Sequence, residues 1–242
     1  MDNSLSATDR AWVELNMENL EHNINEFRSI IPKTTEVMAV VKANAYGNGA
    51  IPISKFLNSI GITNFAVATL QEGIELRQNG IIGNILILGY TDITELESVI
   101  KYNLIQTIVD FNYAKKIESL TLSDKINVHL KINTGLNRIG ENYNNIDNFI
   151  KMFNMTNLNI LGCYSHLGVA DSLDNGDIEF TKNQIQNFDF CIDKIKEAGC
   201  NPGKLHIQNT YGTLNYSNLR YDYVRIGIGI YGVFNNIIHE NN

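Results

Sequence analysis

Cysteine is scarce in this 242-residue chain: Cys163, Cys191 and Cys200 are all there is. An odd count with no C-x-x-C pair fits neither a disulfide framework nor a thiolate metal site, so the three read as reduced thiols in a cytosolic setting. A long apolar run is lacking too, since nothing approaches the ~18 residues of a membrane span. Met1 to Arg10 is polar and has no apolar middle of the kind a secretion signal carries. These absences predict a cytoplasmic chain, or the cytoplasmic part of a longer membrane protein. Positive charge is also short. The formal net charge is -7, and the largest basic feature, Lys115-Lys116, reads as a solvated helix face, which argues against a nucleic-acid partner. No G-x-G-x-x-G follows the first strand and no G-x-x-x-x-G-K-[ST] occurs, which removes support from nucleotide-binding folds.

What is present is an ordinary folded composition, 44% hydrophobic and 19% charged, over a length close to the ~250 residues of a single (β/α)₈ barrel. Short β-rich runs alternate with helical periodicity. Strands are predicted at 12–15, 36–41, 64–68, 84–88, 107–109, 125–132, 158–165, 204–208 and 221–226, one more than a barrel holds. The helical stripe Met17, Leu20, Ile24, Phe27, Ile31 follows Asn16, a natural N-cap. Further helices are predicted around Ile53–Ile60 and at 70–79, 93–101, 113–118 and 146–153, with a long one at 178–198 ended by Gly199. Repeating strand–helix units imply parallel strands joined by crossovers. The unusual side chains fall at the C-terminal ends of several strands, which favours a TIM barrel over an open sheet. The barrel is assigned to residues 11–234, with short tails at 1–10 and 235–242.

Lys42 ends the apolar run that begins at Val37. Burial there would depress its pKa and free a neutral amine for Schiff-base chemistry, although a lysine snorkelling from the barrel rim fits the same position when it is taken alone. The segment Ala39 to Gly49 (AVVKANAYGNG) resembles the cofactor-lysine signature of the alanine racemase family, with Asn48 where the family has histidine. Four more segments match the same family in the same order. Lys131 to Gly140 is similar to K-x-D-T-G-M-x-R-x-G, with Asn133 and Leu136 as departures. Ser165 to Asp171 resembles T-H-F-x-x-A-D. His206 to Thr210 resembles H-x-A-N-S, with Gln208 for alanine and Thr210 for serine. Val224 to Gly232 is similar to V-R-x-G-I-x-L-Y-G.

The resemblance covers about Arg10 to Val233 and implies a pyridoxal 5'-phosphate barrel. By it, Lys42 binds the cofactor and acts as one catalytic base, Tyr46, Thr210, Gly227 and Ile228 hold its phosphate, and Asn209 is a further cofactor-binding residue. Arg138 contacts the phenolic oxygen and the substrate carboxylate, and Lys131 is the lysine that members of the family often carry as a carbamate. His166 lies against the pyridine ring. Arg225 faces the pyridine nitrogen, and since arginine does not readily give up its proton, the ring stays a weaker electron sink, which favours racemisation over transamination. The implied activity is racemisation of alanine or serine for peptidoglycan precursors. The segment from His206 to Tyr216 looks closer to the serine racemases of vancomycin-resistance systems than to housekeeping alanine racemases. No metal site is implied.

Family members add a β-rich C-terminal domain, and a tyrosine from that domain of the partner subunit serves as the second base. No residue of this chain takes that role. The expectation is therefore a fragment with weak or no activity alone, whose partners are an amino-acid substrate and the missing domain or a second racemase subunit, with a homodimer as one arrangement. The alternative is a single-barrel pyridoxal-phosphate carrier of cofactor homeostasis, which the length alone would favour. Arg138, His166 and the segment after Lys42 argue for the racemases.

Overall fold

The computed structural model describes residues 13–234. The predicted tails at 1–10 and 235–242 lie outside the described residues. Nine strands form one parallel sheet: β1 Glu36–Val40, β2 Asn64–Val67, β3 Asn84–Ile87, β4 Ile105–Ile108, β5 Ile126–Asn133, β6 Glu141–Asn142, β7 Leu158–Tyr164, β8 Lys204–His206 and β9 Tyr223–Ile226. Eight of them run in the order β8-β7-β5-β4-β3-β2-β1-β9, and the two-residue β6 pairs off this path with β5. The ends of the path meet. Asp222 donates its amide to the Leu205 carbonyl at 2.9 Å, and Arg225 donates to the Gln208 carbonyl at 3.1 Å. These bonds bring β8 and β9 together in a nearly closed (β/α)₈ barrel.

That closure explains the surplus strand. Of the predicted 12–15 run, Trp12 lies outside the described residues, and Val13–Leu15 pairs with no strand because the eight barrel positions are filled by the others. This stretch leads instead into α1, Met17–Ile30, where the Asn16 side chain accepts the Asn19 amide at 2.9 Å and Leu20, Ile24 and Phe27 form the buried face. The remaining helices are α2 Ala50–Ser59, α3 Leu70–Gln78, α4 Leu96–Lys101, α5 Phe111–Glu118, α6 Ile146–Phe153, α7 Asn175–Glu197 and α8 Thr210–Asn215. Gly61 and Gly199 adopt positive φ just past α2 and α7, the left-handed stop that glycine accepts without strain. Lys115 and Lys116 are exposed at the end of α5, as their composition predicts.

Period-2 alternation gives the barrel two cores. Val37, Ala39 and Val41 pack outward with the helices, in one continuous cluster that includes Phe65, Ile85, Val128, Leu130, Val224 and Ile226. Met38 and Val40 join Ala66, Leu86, Ile105 and Tyr223 in a second, smaller cluster inside. The apolar interior covers only one side. On β5, β7, β8 and β9 the positions out of phase with the outer core are His129, Lys131, Tyr164, His206 and Arg225, all nearly inaccessible. At the opposite end, side-chain amides bridge neighbouring strands. Asn84 donates to Asn64 at 2.9 Å, and Asn64 donates to the Glu36 carboxylate at 2.8 Å. Among the described residues, no helix is long and apolar enough to cross a membrane.

Candidate active site

A cavity of about 540 Å³ opens at the C-terminal ends of the strands, within the ~300–1,000 Å³ range of small-ligand sites. All ten residues singled out in the sequence line it: Lys42, Tyr46, Lys131, Arg138, His166, Asn209, Thr210, Arg225, Gly227 and Ile228. Val40, Ala68, Leu88, Ile139, Tyr164 and Tyr211 complete most of the wall. Four of the lining side chains are Lys or Arg and none is acidic, so the cavity favours an anionic ligand.

Lys42 follows β1 directly, and the chain then turns in an unusual way. Ala43, Asn44, Ala45 and Tyr46 all have φ between 53° and 55°, a left-handed turn built without glycine. Such a conformation costs roughly 1–2 kcal/mol per L-residue, so it persists only if other contacts offset it. Several do. The Ala45 amide bonds the Val41 carbonyl at 2.9 Å, the Ala50 amide bonds Asn44 Oδ1 at 2.8 Å, and Ala43 donates to Glu72 Oε1 at 2.7 Å. The bond to the Glu72 carboxylate contributes about 1.5–3 kcal/mol and each of the two neutral ones about 0.5–1.5 kcal/mol, together the same scale as the strain. Asn48, the departure from the family pattern, donates to the Ala45 carbonyl at 2.9 Å and so belongs to this turn. The burial expected for Lys42 is only partial. The sealed lysine is Lys131, 3% exposed.

The turn brings Tyr46 over Gly227. A Cβ placed on Gly227 would stand 2.4 Å from Tyr46 Oη, so only glycine permits this approach. The Gly227 amide points at Thr210 Oγ1 at 3.2 Å. An amide and two hydroxyls thus converge at the start of a short 3₁₀ turn, Ile228–Tyr231. This is a cradle of phosphate-binding type. Asn209 uses its side chain locally: Oδ1 caps α8 through the Gly212 amide at 2.8 Å, and Nδ2 reaches the Leu167 carbonyl at 3.3 Å.

Arg225 is buried across the cavity floor. One terminal nitrogen donates to His206 Nδ1 at 2.8 Å, and the other is shared among the Ser165 carbonyl at 2.8 Å, the Ile207 carbonyl at 3.0 Å and His166 Nδ1 at 3.2 Å. Arginine can only donate, so Nδ1 of both histidines must accept, and His206 carries its proton on Nε2. That proton points to His129 Nδ1 at 2.9 Å, which fixes the second tautomer in turn. Burial, reinforced by the Arg225 charge, pushes His129 down to about 3 and His166 down to about 2, and holds His206 well below the usual histidine range. All three are neutral at physiological pH. Burial lowers Arg225 to about 10, which leaves it charged.

Tyr164 was not singled out by sequence, yet it organises this side. Its ring stacks on His206 at 4.8 Å, lies 5.2 Å from the Arg225 guanidinium and carries the Lys131 amine 5.1 Å from its centroid. Burial, with the Arg225 and Arg138 charges, drives the Lys131 pKa well below its ordinary value. Arg138 sits at the rim, in the loop between β5 and β6. Asn133 shapes that loop by accepting the Gly135 and Asn137 amides at 3.2 and 3.0 Å. Gln184 of α7 fixes the His166 segment, donating to the His166 carbonyl at 3.0 Å and accepting the Gly168 amide at 2.8 Å. His129 and Lys131 could have been found together, because they lie two apart on one strand and share a face. Gln184 has no such signal in the sequence.

The donor set fits pyridoxal phosphate: a cradle for the phosphate, a primary amine for the aldehyde, and a fixed arginine across the floor. The comparisons agree. The family described as "Alanine racemase, N-terminal domain" matches residues 15–235. An amino-acid racemase of Enterococcus faecalis is 44% identical over 224 residues, covering 93% of this chain and 32% of that protein. A serine/alanine racemase of Enterococcus gallinarum is 41% identical, covering 92% of this chain and 32% of its own length. Alanine racemase of Clostridium difficile 630, solved with cycloserine, superposes with a TM-score of 0.90 at 33% identity, over 97% of this chain and 65% of that one. The chain therefore spans about a third of those two Enterococcus relatives. It belongs to the alanine racemase family, as the family's pyridoxal-phosphate-dependent N-terminal barrel.

Proposed function

We propose that this barrel binds pyridoxal 5'-phosphate and serves racemisation of a small amino acid, alanine or serine. The observation that carries the reading is the chain His129–His206–Arg225, which holds a charged donor on the cavity floor with neutral groups behind it. Bound pyridoxal phosphate supplies an aromatic ring that draws electron density from Cα of an attached amino acid. Tyr46, Thr210 and the amides of Gly227 and Ile228 hold the phosphate. Arg225 would donate to the ring nitrogen, and because it keeps its proton it would not protonate the ring. His166 would flank the ring. Lys42 holds the cofactor and then moves the Cα proton on one face. Arg138 orients the substrate carboxylate.

Lys131 takes up carbon dioxide as a carbamate: the neutral amine forms an N–C bond and releases a proton. The resulting anion offsets the surplus of positive charge beside Arg138 and Arg225, and the depressed pKa of the amine supports this. The second base, on the face opposite Lys42, is a tyrosine from a further domain or a second racemase subunit. The three free thiols support a cytoplasmic setting.

The test is proton exchange at Cα in deuterated water with pyridoxal phosphate present. One enantiomer of alanine or serine exchanges in preference, and Lys42→Ala abolishes the exchange. Exchange that survives Lys42→Ala, or none with any small amino acid, contradicts the proposal and favours a carrier.

A further inference from the structure

We propose that Glu72 is the positioning residue for Lys42: its carboxylate clamps the end of β1 to the end of β2 and holds the left-handed turn that places Lys42 and Tyr46 at the cavity. The inference rests on Lys42 being the cofactor lysine. Glu72 lies in the first turn of α3, on the outer layer, and does not line the cavity.

The ordinary role for a glutamate here is half of a capping box. Thr69 Oγ1 accepts the Glu72 amide, and Glu72 Oε2 reaches back to the Thr69 amide, both at 3.3 Å. The two shorter bonds lie outside that box. Oε2 accepts the Ala68 amide at 2.6 Å, and Oε1 accepts the Ala43 amide at 2.7 Å, 29 residues away in sequence. Ala43 is the residue after Lys42 and the first of the left-handed turn, and Ala68 lines the cavity. The turn's own backbone bonds start further on, from the Ala45, Gly47, Asn48 and Gly49 amides. The Ala43 amide is thus served by Glu72 and not by the turn itself.

Geometry also says why the side chain is a carboxylate. Both oxygens face N–H donors, three in all. A glutamine offers one oxygen, and its NH₂ would point at an N–H. Charge-assisted acceptance is the stronger kind, suited to holding a backbone conformation that L-residues avoid.

Glu72→Gln, Glu72→Asp and Thr69→Ala separate the clamp from the cap. Backbone amide exchange on the cofactor-free chain reads the clamp directly. In Glu72→Gln, Ala43 and Ala68 exchange about tenfold faster or more, the scale of one lost charge-assisted bond, while Thr69→Ala leaves both at the native rate. Pyridoxal phosphate titrations followed by absorbance give the second readout. Affinity weakens about tenfold in Glu72→Gln and stays native in Thr69→Ala, although Thr69→Ala loses more of the helix cap, since a glutamine still serves a capping box. Native exchange at Ala43 in Glu72→Gln overturns the proposal, as does equal weakening of affinity in both variants. Should Glu72→Gln fail to fold, Glu72→Asp is read the same way, since it keeps the charge but is too short to reach both strand ends. If the native chain does not attach pyridoxal phosphate to Lys42, the cofactor reading falls, and amide exchange still decides the clamp.

Discussion

Arg225 donates to Nδ1 of His206 across 2.8 Å, and that single bond sets the protonation of everything behind it. Because an arginine cannot accept, His206 presents Nε2–H to His129 and neither ring has a reason to charge. The cavity floor is then one fixed cation on a neutral, hydrogen-bonded base.

Removing the middle of that chain should show in stability. His206→Leu leaves a guanidinium N–H and His129 Nδ1 without partners in a buried site, so it should lower the unfolding free energy by about 1–3 kcal/mol or more. Paired with His129→Leu, the double variant should cost clearly less than the sum of the two singles, because they break one network. Denaturant unfolding measures both. Strict additivity would mean that His129 and His206 act independently.

Acid should destabilise the fold before its carboxylates titrate. His129, His166 and His206 are depressed in the folded state, against ~6.5 for an unfolded histidine. The unfolded chain therefore binds more protons below that value, so stability rises with pH through the window and is lost as pH falls from about 6.5 towards 4.5. The slope approaches about 1.4 kcal/mol per pH unit for each histidine. In His129→Asn the slope should drop by about one histidine's share. A flat profile between pH 6.5 and 5 would contradict the buried, neutral assignment.

The phosphate cradle gives a steric prediction. In Gly227→Ala the new methyl lies 2.4 Å from Tyr46 Oη, so the tyrosine must move out. Tyr46 is near the surface and can swing away at small cost in stability. Its hydroxyl is lost from the cradle, and affinity for pyridoxal phosphate should fall by about tenfold or more, the scale of one charge-assisted bond. Spectrophotometric titration checks this. Native affinity would mean that Tyr46 is not a phosphate ligand.

The barrel was legible because its strands are buried on both sides and its helices on one. Val37–Val41 reads as a continuous apolar run, while α1 repeats Leu20, Ile24 and Phe27 on one face. The cavity residues were legible as motifs, since each sits where a strand ends. Other features were not. The turn after Lys42 is left-handed without a glycine to announce it, because the conformation is held by Glu72 and Asn44 rather than chosen by local propensity. Tyr164 and Gln184 look like core and surface residues until the barrel closes and brings His206 and His166 against them. The run at 12–15 has strand composition, but its described residues, Val13–Leu15, join no strand.

The central claim, that Lys42 carries the cofactor, is tested most directly by incubating the purified chain with pyridoxal phosphate, reducing with borohydride and mapping the modified peptide by mass spectrometry. The account predicts one pyridoxyl group on Lys42, absent from Lys42→Ala. A label on Lys131, or one scattered over exposed lysines such as Lys115 and Lys116, would contradict it.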